Sequence, residues 1–70
     1  MPDMTYVDSS NLEQIGYDGD SMELHVVFKD GSLYVYSNVP EQIFDELLVA
    51  PSKGSYLNRE VKGTYDYEKR

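Results

Sequence analysis

The chain contains no cysteine and no tryptophan, and its 70 residues include a single histidine. Without cysteine there is no disulfide, no thiolate zinc site and no thiol nucleophile, so packing alone must hold the fold together. That usage suits a reducing, cytoplasmic setting. No apolar run approaches the roughly 20 residues that span a bilayer, which predicts no membrane segment. The start, "MPDMTYVDSS", lacks a basic region followed by an apolar stretch and does not read as a signal peptide. Cations are scarce, with six Lys and Arg against thirteen Asp and Glu, a net charge of −7. The imbalance is also uneven. Residues 1–52 hold ten of the thirteen carboxylates and Lys29 as their one cation, whereas residues 53–70 hold the other five cations. A negative body repels phosphate backbones and favours basic partners, while the basic end can still make local phosphate contacts.

The chain is long enough for one small domain. At this size only about 60% of the unfolded surface is buried, so most large apolar residues are needed in the core. The expected organisation is an extension over 1–8, a domain over 9–67 and a tail over 68–70. "NLEQIGYD" (11–18) reads as a first strand, although Leu12 and Ile15 are out of phase for strict alternation and Gly16 suggests a bulge or a close approach. "MELHVVF" (22–28) alternates cleanly, with Met22, Leu24, Val26 and Phe28 on one face. "SLYVYS" follows the turn as a third strand. The expectation is an α+β fold: a three-stranded antiparallel meander with two C-terminal helices packed on one face.

The turn decides where Tyr34 and Tyr36 point. A two-residue Asp30-Gly31 loop sets them opposite the Leu24/Val26/Phe28 face. A three-residue Lys29-Asp30-Gly31 loop, with Gly31 left-handed in a bulge, slips the pairing by one and pairs Val26 with Tyr34 and Leu24 with Tyr36. The bulged loop is preferred because it gathers five large residues on one face. The tyrosines then pack in the core; a platform for stacking bases would need a rim of cations. The other face carries Val27, Leu33 and Val35 around His25, a candidate protein interface.

Val39-Pro40 opens the first helix, and acids Glu41, Asp45 and Glu46 suit its first turns. Ile43, Phe44, Leu47 and Leu48 form its apolar stripe. Pro51 stops it, and Ser52 caps a second helix over 53–62, with Tyr56, Leu57 and Val61 inward and Ser55, Asn58, Arg59 and Lys62 outward. Gly63 suits its C-terminal cap. Ser52, Lys53 and Gly54 form a candidate anion site at that helix start, with Arg59 and Lys62 as further RNA contacts.

No catalytic constellation is present. His25 has no partnered nucleophile, and "DGDSME" lacks the pattern of a calcium loop. No cofactor or metal is expected.

Taken in order, "SS", "IGYD", "LHVVFKDG", "YVY", "VP", "SKGSYLN" and "EVKGTYDY" resemble the KTSC domain family. This module is found at the C-terminus of some lysyl-tRNA synthetases and as single-domain bacterial and phage proteins. The resemblance spans nearly the whole chain. It implies a hairpin-centred α+β fold with little chemistry of its own, and RNA binding has been proposed for such modules. The chain departs from the pattern at Pro51, at apolar Val27 and in its acidic body, which opposes RNA. The expected function is therefore a non-enzymatic binding module that recognises a protein partner. The alternatives are tRNA contact through the second helix and tail, and a phage-type inhibitor whose acidity imitates nucleic acid.

Overall fold

The computed structural model describes residues 2–70. One five-stranded antiparallel sheet runs in chain order: β1 (Met4–Tyr6), β2 (Leu12–Asp18), β3 (Glu23–Phe28), β4 (Leu33–Tyr36) and β5 (Tyr67–Lys69). Helix α1 (Glu41–Val49) and the short α2 (Lys53–Tyr56), which continues into a π turn over Leu57–Val61, lie between β4 and β5 in sequence. The α+β class agrees with expectation. The strand count does not, because the two edge strands add to the expected three. Each is only three residues long and mostly exposed, so neither has an alternating pattern to read.

The β3–β4 turn takes the bulged form. Gly31 has φ +92°, its N–H donates to the Phe28 carbonyl at 2.9 Å, and the Phe28 N–H donates to the Ser32 carbonyl at 2.9 Å. The resulting register pairs Val26 with Tyr34 and Leu24 with Tyr36. One sheet face therefore carries Leu24, Val26, Phe28, Tyr34 and Tyr36. In β2 the register shifts between Leu12 and Gln14. This bulge brings Leu12 and Ile15 onto that same face, which resolves their broken alternation. Both are fully buried.

The helices cover this face. Leu47, Tyr56, Leu57 and Val61 join Leu12, Ile15, Leu24, Val26, Tyr36 and Val39 in one core cluster, with Ile43, Phe44, Tyr17 and Tyr34 packed against it. Tyr17 stacks on Phe44 with ring centroids 5.6 Å apart and donates its hydroxyl to the Val39 carbonyl at 2.5 Å. Two expected inward residues are placed differently. Leu48 is 37% exposed, since nine helical residues present a stripe only wide enough for Ile43, Phe44 and Leu47. Met22 lies outside β3 with φ +57° and is exposed. It closes the β2–β3 turn, and its carbonyl accepts from Val39 N–H at 2.9 Å. Pro40 sits just before the first residue of α1, in extended conformation.

Gly16 is where β1 approaches most closely. A Cβ there would collide with Met4 Sδ and lie 2.8 Å from the Asp3 carbonyl oxygen. The missing side chain is what lets the edge strand seat.

Candidate functional site

The loop after β3 and the outer edge of the core face enclose a groove of about 400 Å³. Phe28 and Tyr34 form its aromatic floor, edge to face with centroids 5.1 Å apart. Both are half-buried. Ser10, Asn11 and Ser32 supply hydroxyl and amide groups, and Lys29 and Lys62 stand at the rim. Lys62 Nζ lies 5.5 Å from the Phe28 ring centre, and Lys69 Nζ lies 5.9 Å from that of Tyr34. Tyr67, 60% exposed, stacks on Tyr34 at 5.3 Å. Three of the six cations in the chain thus converge on one aromatic cluster. They come from the hairpin loop, the end of the π turn and β5, three elements that only the fold brings together.

One acid shares the groove. The Asp30 carboxylate accepts from the Ser32 N–H at 2.9 Å and from the Ser32 hydroxyl. These bonds hold its carboxyl below the ordinary value, with Lys69 adding to the effect. Asp30 is therefore ionised and turned toward its own loop. Two cations, Lys29 and Lys62, line the groove against the one anion, and Lys69 adds a third beside the Tyr34 ring, so this region is basic within an acidic body.

Tyr34 and Tyr36, expected together in the core, divide. Tyr36 is 1% exposed, and burial raises the pKa of its hydroxyl, with Tyr34 and Tyr67 contributing. Tyr34 sits at the boundary between core and groove.

The candidate anion residues of the second helix do not converge. Ser52 caps α2, its Oγ accepting from the Ser55 N–H at 3.4 Å. Lys53 Nζ donates to the Ala50 carbonyl at 3.2 Å. Gly54 packs against Asn11, whose Oδ1 would lie 2.7 Å from a Cβ. In a regular helix Arg59 and Lys62 would be neighbours. The π turn, closed by Lys62 N–H to the Leu57 carbonyl at 2.9 Å, shifts the spacing. Arg59 then lies over the Tyr56 ring at 5.5 Å, paired with Glu60 at 3.0 Å, while Lys62 reaches Phe28.

The opposite sheet face holds His25 and Val35 side by side, 4% and 2% exposed, with Val27 and Leu33 half-buried in the next row. Neither His25 ring nitrogen has a hydrogen-bond partner among the described residues, and Glu23 Oε1 is 3.6 Å from Nε2. In the β2–β3 turn, Asp18 Oδ1 accepts from the Asp20 and Ser21 amides at 3.0 and 3.4 Å, the geometry of a turn carboxylate. Among the described residues no group of three or more His, Asp or Glu side chains could hold a metal. No helix among them is long and apolar enough to cross a membrane.

Residues 8–65 match the model of the KTSC domain. A protein of Tsukamurella paurometabola is 42% identical over 59 residues, covering 84% of this chain and 88% of its own length. A lysine–tRNA ligase of Nostoc punctiforme is 34% identical over 61 residues, which cover 87% of this chain but only 11% of the ligase. The crystal structure of a KTSC domain protein from Yersinia pestis superposes with a TM-score of 0.93 at 32% identity, covering 100% of this chain and 99% of that one.

Proposed function

The chain belongs to the KTSC domain family, and from that premise we propose that it is a non-catalytic module that binds single-stranded RNA in the groove over Phe28 and Tyr34. The observation that carries this reading is the meeting of Lys29, Lys62 and Lys69 around those rings. Bases stack on exposed aromatic faces while flanking cations take the phosphates. Tyr67 offers an open ring at the edge of the cluster. His25, the only imidazole, is buried on the other side of the sheet and takes no part. The likeness to lysine–tRNA ligases supports a transfer RNA as the source of the strand, and a cytoplasmic setting is part of the same proposal.

The acidic body sets the expected strength. Three phosphate contacts give a salt slope of about −2 on a single strand, and the −7 charge keeps binding weak near physiological salt. Anisotropy titrations with labelled oligouridine and labelled tRNA at two salt concentrations test the reading. Lys62→Glu and Lys69→Glu should each weaken binding, and Arg59→Glu should leave it unchanged. Loss of binding in Arg59→Glu alone would move the site to the second helix. No binding to either RNA at low salt would end the RNA reading.

A further inference from the structure

β5 closes one end of the sheet, and among the described residues no strand pairs with its outer side. All of its residues, Tyr67–Lys69, are exposed. The bonds to β4 fix which backbone groups face outward. Ser37 N–H donates to the Asp66 carbonyl at 2.8 Å, and Arg70 N–H donates to the Leu33 carbonyl at 2.7 Å. Between them Tyr36 pairs with Tyr67, Val35 with Glu68 and Tyr34 with Lys69. Bonded and non-bonded pairs alternate along an antiparallel ladder. Asp66, Glu68 and Arg70 therefore turn their N–H and C=O groups toward β4, while Tyr67 and Lys69 turn theirs out. An open row of this kind is a template for a further strand.

The side chains select the strand that fits. Asp66 and Glu68 against Lys69 and Arg70 make residues 66–70 neutral in a chain of net charge −7, a strip on which two copies of an acidic molecule can meet. Set antiparallel to itself with Tyr67 opposite Lys69 of the second copy, β5 bonds every outward N–H and C=O of both strands. The same register sets Asp66 opposite Arg70 of the second copy on one face. On the other face it sets the Tyr67 ring beside the Lys69 ammonium, so the cross-strand pairs on both faces attract. Glu68 meets its own mate on the two-fold axis, but each is already paired with its own Arg70 at 2.6 Å. The neighbouring registers are worse. With Tyr67 opposite Tyr67, Asp66 faces Glu68, and with Lys69 opposite Lys69, two ammonium groups face each other. The other edge of the sheet, β1, lacks this complementarity, since residues 1–10 hold Asp3 and Asp8 and no cation.

We infer that two copies of this chain pair through their β5 edges, antiparallel and about a two-fold axis, joining their sheets into one. So short an edge buries far less area than a stable dimer needs, so the dimer forms at high protein concentration. Pairing sets Lys69 of the second copy beside Tyr67, at the border of the aromatic cluster, and it does not depend on RNA.

Sedimentation equilibrium of the full chain without RNA, over a concentration series into the millimolar range, tests this. Wild type should pass from monomer to dimer and stop there. Asp66→Arg sets like charges at both ends of the seam, and a two-fold interface carries the change twice, so dimerisation should weaken by about tenfold or more. Asp66→Arg combined with Arg70→Asp should restore it. The two positions lie about 13 Å apart along one extended strand, too far to meet within a copy, so rescue reports contact between copies. In a mixed labelled and unlabelled wild-type sample, isotope-filtered NOEs should connect Tyr67 to Lys69 of the other copy, a readout that needs no variant to fold. A monomer at every concentration, assemblies larger than a dimer, an Asp66→Arg chain that dimerises like wild type, a double variant without rescue, or absence of the NOEs would overturn the inference. None of these results bears on RNA binding, which Lys62→Glu tests separately.

Discussion

The Tyr56 hydroxyl donates to Glu46 Oε1 at 2.7 Å and so ties α2 to α1 at the buried edge of their contact. Burial, then the carboxylate partner, push the tyrosine pKa up from 10.0 to about 12. A proton held more tightly in the folded state stabilises the fold below pH 10, and that stability is lost as pH rises from 10 toward about 12. The bond acts in the other direction on Glu46, whose lowered pKa contributes stability above its ordinary value of 4.5 that is lost as pH falls through the lowered one. Tyr56→Phe should therefore flatten both limbs of a stability–pH curve measured by urea unfolding. The alkaline limb should persist in part, because burial also raises Tyr17 and Tyr36. An unchanged curve would show that the pair is not coupled to folding.

Gly31 and Gly19 make a paired test of the hairpin. Both have open space where a Cβ would go, but only Gly31 has positive φ, +92°. Gly31→Ala should cost about 1–2 kcal/mol for the left-handed backbone alone. Gly19→Ala should stay within about 0.5 kcal/mol of wild type. Equal effects in denaturant titrations would mean that the bulged loop is not the conformation in solution.

Much of the fold was legible because local chemistry demanded it. Asp30-Gly31, Pro40 and Ser52 each mark a boundary with a physical cause, and the area needed by a small core selected the register that pairs Leu24 with Tyr36. The edge strands were not legible. Three exposed residues such as Tyr67–Lys69 carry no periodicity, and their pairing comes from tertiary bonds, among them Ser37 N–H to the Asp66 carbonyl at 2.8 Å and Arg70 N–H to the Leu33 carbonyl at 2.7 Å. The basic groove was hidden for the same reason. Lys29, Lys62 and Lys69 are far apart in sequence, and only β5 pairing with β4 and the π turn bring them to Phe28 and Tyr34. A helix drawn at regular spacing sets Lys62 beside Arg59 instead. The one usable signal was the basic end of the chain itself.

The division between Tyr36 and Tyr34 should appear in their truncations. Tyr36 is 1% exposed within the core, so Tyr36→Ala should cost about 3–5 kcal/mol. That is a large share of the roughly 5–15 kcal/mol available to a natural domain. Tyr34→Ala should cost clearly less, because its ring is half-buried, while removing part of the groove floor. Chemical denaturation with an RNA titration of the same variants separates the two effects. Equal destabilisation would place Tyr34 in the core, leaving the groove without its floor.

His25 offers the sharpest test of the sheet's other face. Its ring is 4% exposed, and neither nitrogen finds a hydrogen-bond partner among the described residues. Glu23 Oε1, 3.6 Å from Nε2, is too distant to serve as an acceptor. A buried polar group left unpaired costs about 1–3 kcal/mol, and replacing it with an apolar side chain removes that cost. Its cross-strand partners are Gly16, which has no side chain, and Val35, so an aliphatic replacement meets a compatible apolar neighbour. His25→Leu should accordingly unfold at higher urea than wild type, by about 1 kcal/mol or more. Destabilisation would instead mean that the imidazole is paired in solution, and a partner found by solving the variant and wild-type structures side by side would give that face a role beyond packing.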